Sequence, residues 1–432
     1  MLTLHSAPVV VPVTREPIVD GAVLVDGDRI AAVGPRGRLA AQHPGARERV
    51  WTGMLTPGLV NAHAHLQYTD FEELNALGEP FPVWLGHMVA KRSTFDDALW
   101  QESARRGLHL MFRSGTTAVA DIVTEPAVLG PTARSAIAGI SYLEAVFEDA
   151  RSWSDSGRAR MLAALDAAPS GRTLGLSPHT PYTISTSVFV DCLAIARERG
   201  LRTHTHVAES PAEVQYVATG GGPFAQDMLR FGKAMELIRD GGSGLSPVGY
   251  LDKIGALGPD VHAAHCVHCD AADRDVLRAR GVYAALCVRS NRILQAGEPP
   301  VAEYLAEGSP FAIGTDSLAS SPSLDLLEEA ATLRDLALVQ GYTEPDLDRR
   351  IVEAATLGGA AAMSLSDVGR LEEGARADLA VFEVPALEAV AGADPRQVYS
   401  ALLDAAAAKT HRCLATVLGG TIVHRAMPGS SD

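Results

Sequence analysis

Cysteine is scarce in this chain, five among 432 residues and spread thinly, so no disulfide framework of a small secreted scaffold is implied. Basic charge is also in deficit. Lys+Arg 37 against Asp+Glu 52 leaves a net charge of −15, which repels polyanions and supplies no counterion release on DNA or RNA. Nucleic-acid polymers and anionic membranes are thereby excluded as partners. No stretch reaches the ~18 continuous apolar residues of a membrane-spanning helix. No basic segment precedes the N-terminal apolar run Ala7 to Val13, which Pro8 and Pro12 interrupt. The sequence therefore predicts no signal peptide and a cytoplasmic chain. What is present is the composition of a globular enzyme, 47% hydrophobic and 21% charged, with 40 Gly and 25 Pro. At ~150 residues per domain the length predicts about two to three domains, or one large barrel with an appendage.

The first 50 or so residues alternate short β-branched runs with turn residues, as in "GAVLVDGDRIAAVG", the pattern of a small antiparallel unit. The same texture returns in "GRLEEGARADLAVFEV" and "LATVLGGTIVHRA", so both ends are expected to pair into one β-sandwich, from residues 1–54 and 370–432. Between them, over 55–369, apolar strands alternate with helical stretches. Eight strands are predicted, at 59–65, 116–122, 141–147, 173–179, 202–209, 261–266, 283–288 and 311–316. This α/β pattern predicts a (β/α)8 TIM-like barrel, whose chemistry sits at the carboxyl ends of its strands. The longest connection, 219–247, is Gly-rich and is either a mobile lid or a plain surface insertion.

His63 and His65 lie two apart on the first predicted strand, and period-2 alternation sends both side chains to one face. His206 and Glu209 end strand five, His265 strand six and Asp316 strand eight. Three neutral imidazoles and a carboxylate leave one position open, as in a catalytic metal site. One Zn2+ per chain is expected, with Fe2+ or Mn2+ also compatible with such donors. An ion so held lowers the pKa of its water to about 7. Asp316 is expected to accept the proton of that water, His265 to orient it, and Glu209 to carry a proton to a ring nitrogen of the substrate. His179, in "SPHTPY", is placed to bind substrate or polarise its leaving group.

The motifs "PGLVNAHAHL", "SPHTPY", "THTHVAES", "AAHCVH" and "GTDSLAS" resemble, in order and spacing, those of the amidohydrolase superfamily. The similarity is to its mononuclear branch of cytosine deaminases, S-adenosylhomocysteine deaminases and triazine chlorohydrolases, and it covers essentially the whole chain. It implies that His63, His65, His206 and Asp316 bind the metal, with Glu209 and His265 handling protons. Binuclear relatives use a carboxylated lysine on strand four; the only lysines here are Lys91, Lys233, Lys253 and Lys409, so one metal is expected. Relatives of this branch are commonly homodimers.

Adenosine-type relatives carry a Glu about nine residues after a tryptophan of the first barrel helix. Here the tryptophan is Trp84, and Lys91, Arg92 and Ser93 occupy the later positions. Where such relatives carry an Arg after strand three, this chain offers Glu144. "SYLEAVF", "GLSPVGYL", "VRSNRILQAG" and "GTDSLASSPSLDLLEE" look more like the aminodeoxyfutalosine deaminases of menaquinone biosynthesis, whose small-molecule substrate is an adenine nucleoside ending in a benzoate. Arg92 and Arg289 are then candidates for a bidentate carboxylate contact. Read without function, Arg92 is a solvated helix residue and Arg289 an internal salt bridge at the barrel rim. Relatives often read C-P-R-S-N where this chain has Val288. The alternative substrates are another adenosine-like nucleoside, a guanine-type base or a chlorinated triazine. A catalytically silent scaffold protein is the non-enzymatic alternative, disfavoured by the intact ligand set. Cys266-x-x-Cys269 has no second half and predicts no structural zinc. The acidic run in "LDLLEEAATLRDLA" predicts a solvated helix face.

Overall fold

The computed structural model describes residues 2–427; Met1 and residues 428–432, which belong to the two expected β-sandwich segments, lie outside the described residues. Eight parallel strands run in chain order around a barrel: Leu59–Ala64, Thr116–Val123, Ala138–Ala145, Thr173–Pro178, Arg202–Val207, Val261–His265, Tyr283–Leu286 and Phe311–Ile313. Residues of these strands are almost all buried, Thr116–Val123 throughout, because helices cover the outside while the inside is closed by side chains. Closure between the last strand and the first is made by a parallel bridge from Ala64 to Asp316 and by Asp316 N–H donating to His63 O at 3.0 Å. Strand three begins at Ala138 rather than 141. Strand eight stops at Ile313, so Asp316 stands beyond it and is held by the bridge.

The terminal segments meet in one second eight-stranded sheet. Leu2–Val10 pairs antiparallel with Ile18–Asp26 and parallel with Met54–Pro57, which in turn pairs antiparallel with Leu379–Glu383. The expected division at 54/55 therefore falls inside a strand that belongs to this sheet. Val10, Val23, Leu55, Leu379, Val381 and Val417 pack together as its buried face. Within 370–432 the helix Val398–Ala407 departs from the expected β texture and packs against the barrel helix Leu326–Val339. Among the described residues no helix is long and apolar enough to cross a membrane.

The Gly-rich connection folds into two short helices, Pro223–Arg230 and Glu236–Arg239. Phe224 is fully buried and stacks on Tyr182 with ring centroids 3.9 Å apart. Glu236 accepts from Thr186 N–H at 2.9 Å. Gly220 and Gly242 have positive φ, and a Cβ at either would lie 2.3 Å from Leu237 O or 2.2 Å from Ala218 O. These glycines let the connection close on itself.

Candidate active site

The first barrel strand ends at Ala64, and His65 follows it directly, its ring centroid 4.9 Å from that of His63, so His63 and His65 come to the same place as the alternation predicts. His206, at the end of strand five, presents Nε2 3.4 Å from His65 Nε2. Asp316 Oδ1 lies 3.6 Å from His63 Nε2 and 3.5 Å from His65 Nε2. Ligand atoms held at ~2.0–2.1 Å around one tetrahedral ion stand about 3.4 Å from each other, so these separations fit a single zinc-sized cation. His63 Nε2 is buried without a hydrogen-bond partner, as a nitrogen reserved for a cation is. Burial pushes the protonation of His63, His65 and His206 below the ordinary histidine range, leaving the neutral form that ligates metals.

Beside this cluster stand the groups with proton chemistry. Glu209 Oε1 is 3.6 Å from His265 Nε2. Burial, with the charges of Asp316 and Glu213, pushes the Glu209 carboxyl well above its usual range. His265 Nδ1 is 3.1 Å from Asn291 Nδ2, and burial lowers its protonation to about 4. Asp316 Oδ2 accepts from Ser290 Oγ at 2.7 Å and Ser320 Oγ at 3.0 Å, and Oδ1 from the Ser317 N–H at 2.8 Å. His179 packs on His206 with centroids 4.6 Å apart and is anchored by Thr183 Oγ1 at 2.7 Å. Ala208, His265 and Asp316 all have positive φ, at 53°, 71° and 58°. Left-handed backbone in such residues costs of order 1–3 kcal/mol and clusters where a structure aims side chains.

The pocket above is walled by Tyr68, Trp84, Met88, Arg92, Glu144 and Phe147 together with the groups just described. Trp84 donates Nε1–H to Ala319 O at 3.1 Å. Arg92 reaches the pocket, so the solvated-helix reading fails; its Nη2 pairs with Glu125 Oε1 at 2.9 Å, and its side chain is only 21% exposed. Glu144 accepts from Thr124 Oγ1 at 2.8 Å through Oε2, while Oε1 is unpartnered and 3.9 Å from His179 Nε2. Burial raises this carboxyl to about 7.

Arg289 is not in the pocket, which corrects the expectation of a substrate contact. It lies in the helix Val288–Ile293 and turns away from the site, giving Nε to Glu329 Oε2 at 2.5 Å and Nη1 to Glu328 Oε2 at 2.6 Å. Its remaining donors meet Ser323 and the Asp325 carbonyl. The acidic run expected to be solvated supplies those two carboxylates, and Glu329 is fully buried. A guanidinium has five donors in a fixed fork, and here they are taken up within the protein. Cys266 and Cys269 are free and buried, as are Cys192, Cys287 and Cys413.

Several further residues shape the site. Glu213 accepts the N–H groups of Ala208 and Glu209, each at 2.8 Å. Gln67 Oε1 accepts those of Thr124 and Glu125. His204 faces His63 at 3.1 Å. The doubled H-x-H of "THTH" was the one available pointer to His204. Glu213 and Gln67 act on backbone brought near only by folding.

The amidohydrolase family pattern matches residues 54–416, and an imidazolonepropionase-like composite domain of bacteria matches residues 21–46. A 5-methylthioadenosine/S-adenosylhomocysteine deaminase of Pelotomaculum thermopropionicum is 31% identical over 389 residues, covering 84% of this chain and 80% of the relative. An aminodeoxyfutalosine deaminase of Deinococcus radiodurans is 32% identical over 348 residues, 78% of this chain and 80% of the relative. Among solved structures, an adenosine deaminase of Xanthomonas campestris with bound zinc superposes with a TM-score of 0.78 at 24% identity, covering 98% of this chain and 93% of that one.

Proposed function

The chain belongs to the amidohydrolase family and is a hydrolase acting on C–N bonds, and from that premise we propose that it deaminates an amino-purine nucleoside, with aminodeoxyfutalosine, an intermediate on the way to menaquinone, as the substrate. The observation that carries the deaminase reading is the buried Glu209 carboxyl beside His265, facing the cluster of His63, His65, His206 and Asp316. His63, His65, His206 and Asp316 would hold a divalent cation, which when bound would supply a Lewis acid and lower the pKa of water to about 7.

The protein's own groups divide the remaining work. Glu209, whose carboxyl is pushed above its usual range by burial, donates to the purine ring nitrogen and makes the adjacent carbon more electrophilic. Asp316, its charge held by Ser290, Ser320 and the Ser317 N–H, accepts the proton that the attacking water loses. His265 orients that water. His179, in the pocket wall against His206, binds the substrate or polarises its leaving amino group. Overall, one water is consumed and the ring C–NH2 becomes C=O.

For the finer assignment the support is Arg92. It lines both this pocket and an adjoining cleft of about 330 Å³ that also holds Glu125, Glu148 and Arg160. A nucleoside whose distal arm carries a carboxylate can exchange the Arg92–Glu125 pair for a guanidinium–carboxylate contact of its own. The test is ammonia release by the zinc-loaded protein against aminodeoxyfutalosine, adenosine, S-adenosylhomocysteine, methylthioadenosine, guanine and cytosine. Preference for aminodeoxyfutalosine is the expected result. Preference for another member of the panel overturns the substrate, and chloride release from a triazine without ammonia release from any of them overturns the deaminase reading.

A further inference from the structure

Beneath the ligand cluster the barrel interior holds a second group of rings that the reaction does not use. His63 Nδ1 lies 3.1 Å from Nε2 of His204, and both side chains are fully buried. Next to His204 sits His262, with ring centroids 4.1 Å apart and planes at 74°, and then Tyr142 at 5.4 Å from His204. His262 is tied at both nitrogens, Nε2 to the Ala62 carbonyl at 3.2 Å and Nδ1 to the Tyr142 hydroxyl at 3.4 Å. A carbonyl only accepts, so His262 carries its proton on Nε2 and accepts from Tyr142 on Nδ1. His204 thus has a neighbour locked in one state.

We propose that His204 is a positioning residue that holds His63 as the Nδ1–H tautomer and so keeps the Nε2 lone pair aimed at the cluster with His65, His206 and Asp316. A histidine that gives Nε2 to a cation must carry its proton on Nδ1, and that N–H needs an acceptor in a buried site. Metal-ligating histidines usually find a carboxylate, a carbonyl or water for this purpose. Here the atom in place is the Nε2 of another imidazole, which then carries its own proton on Nδ1. That Nδ1 has no hydrogen-bond partner among the described residues; the Ala62 carbonyl, which His262 also meets, lies close enough to the His204 ring to favour its carrying a proton. Because His204 and His206 share one strand and point to one face, a single β-strand supplies both a cluster residue and the group that orients His63 on the first strand, across the barrel. The proposal rests on the reading that the cluster holds a divalent cation.

The test is zinc affinity by competition with a chromogenic chelator, alongside the melting temperature of the metal-free protein. Glutamine keeps an acceptor near the position of the imidazole Nε2, and leucine fills the space without one. His204→Leu is expected to weaken zinc binding ~10–100-fold, the range seen when an outer-shell partner is removed, while His204→Gln stays near wild type and the metal-free proteins melt alike. Equal zinc affinity of His204→Leu and wild type overturns the proposal. So does equal weakening by both substitutions with a lower metal-free melting temperature, which marks His204 as core filler. Nitrogen-15 spectra of the histidine-labelled, zinc-loaded wild type decide the point if His204→Leu does not fold: a proton on His63 Nδ1 supports the proposal and one on Nε2 overturns it. A wild-type chain that takes up no zinc overturns the metal-centre reading and the proposal with it.

Discussion

The carboxylate of Glu213 accepts the backbone N–H of Glu209 at 2.8 Å, and its other oxygen accepts that of Ala208 at the same distance. Ala208 sits at φ 53°, so the fully buried Glu213 brackets the left-handed turn that aims Glu209 into the pocket. Glu213→Gln places an NH2 donor against one of two N–H groups and leaves that donor unsatisfied. The expected cost is about 1–3 kcal/mol of stability, with a lower kcat because Glu209 is no longer held. Denaturant unfolding and steady-state kinetics on the same preparation check both parts.

Glu209→Gln keeps the shape of the side chain and removes the transferable proton. Zinc content by elemental analysis is expected to match wild type, and kcat to fall by ~10²–10⁴, the range of a lost general acid–base group. Substantial residual turnover would assign the proton transfer to another group.

The two arginines expected near the substrate now separate. Arg92→Met removes a cation from the pocket wall and is expected to raise KM for a carboxylate-bearing nucleoside ~10-fold or more beyond its effect on adenosine, equivalent to one charged hydrogen bond of about 1.5–3 kcal/mol. Arg289→Met leaves Glu329 buried without its cation and is expected to cost about 3–5 kcal/mol of stability, with no preference between the two substrates. Equal KM effects of Arg92→Met on both nucleosides would remove its carboxylate role.

His411 Nε2 and Asp325 Oδ2 are 2.9 Å apart, and Asp325 also caps the helix Leu326–Val339 by accepting from Leu327 and Glu328 N–H. Burial disfavours the charged form of each, yet their mutual attraction wins, raising the histidine pKa and lowering that of the aspartate. A histidine whose pKa is raised by folding contributes stability that is fully present below its unfolded value, near 6.5, and is lost as pH rises through the folded value. His411→Gln is therefore expected to destabilise more at pH 5.5 than at pH 9, by about 1–3 kcal/mol at the lower pH. Unfolding curves of both proteins at the two pH values measure the difference.

The (β/α)8 barrel was legible because eight apolar segments alternate with helical ones, and because a strand buried on both faces reads as a continuous apolar run. The gathering of candidate residues was legible for a related reason: His63, His65, His206, His265 and Asp316 stand at or just beyond strand ends, which a closed barrel gathers at one rim. Arg289 was misplaced because it neighbours Ser290 and Asn291, both of which do face the site through Asp316 and His265. One residue earlier on a helical turn, the side chain points elsewhere, and its carboxylate partners lie 39 and 40 residues further on.

The sequence alone thus determined the barrel, the pairing of the two terminal β segments and which side chains could gather around one cation, because periodicity and strand-end position are local properties. Only the tertiary structure decided which arginine enters the pocket, that Glu213 brackets Glu209, and that His204 stands behind His63. Those relationships join residues on different strands and helices, and their energies depend on burial and on distances of about 3 Å that exist only once the barrel has closed.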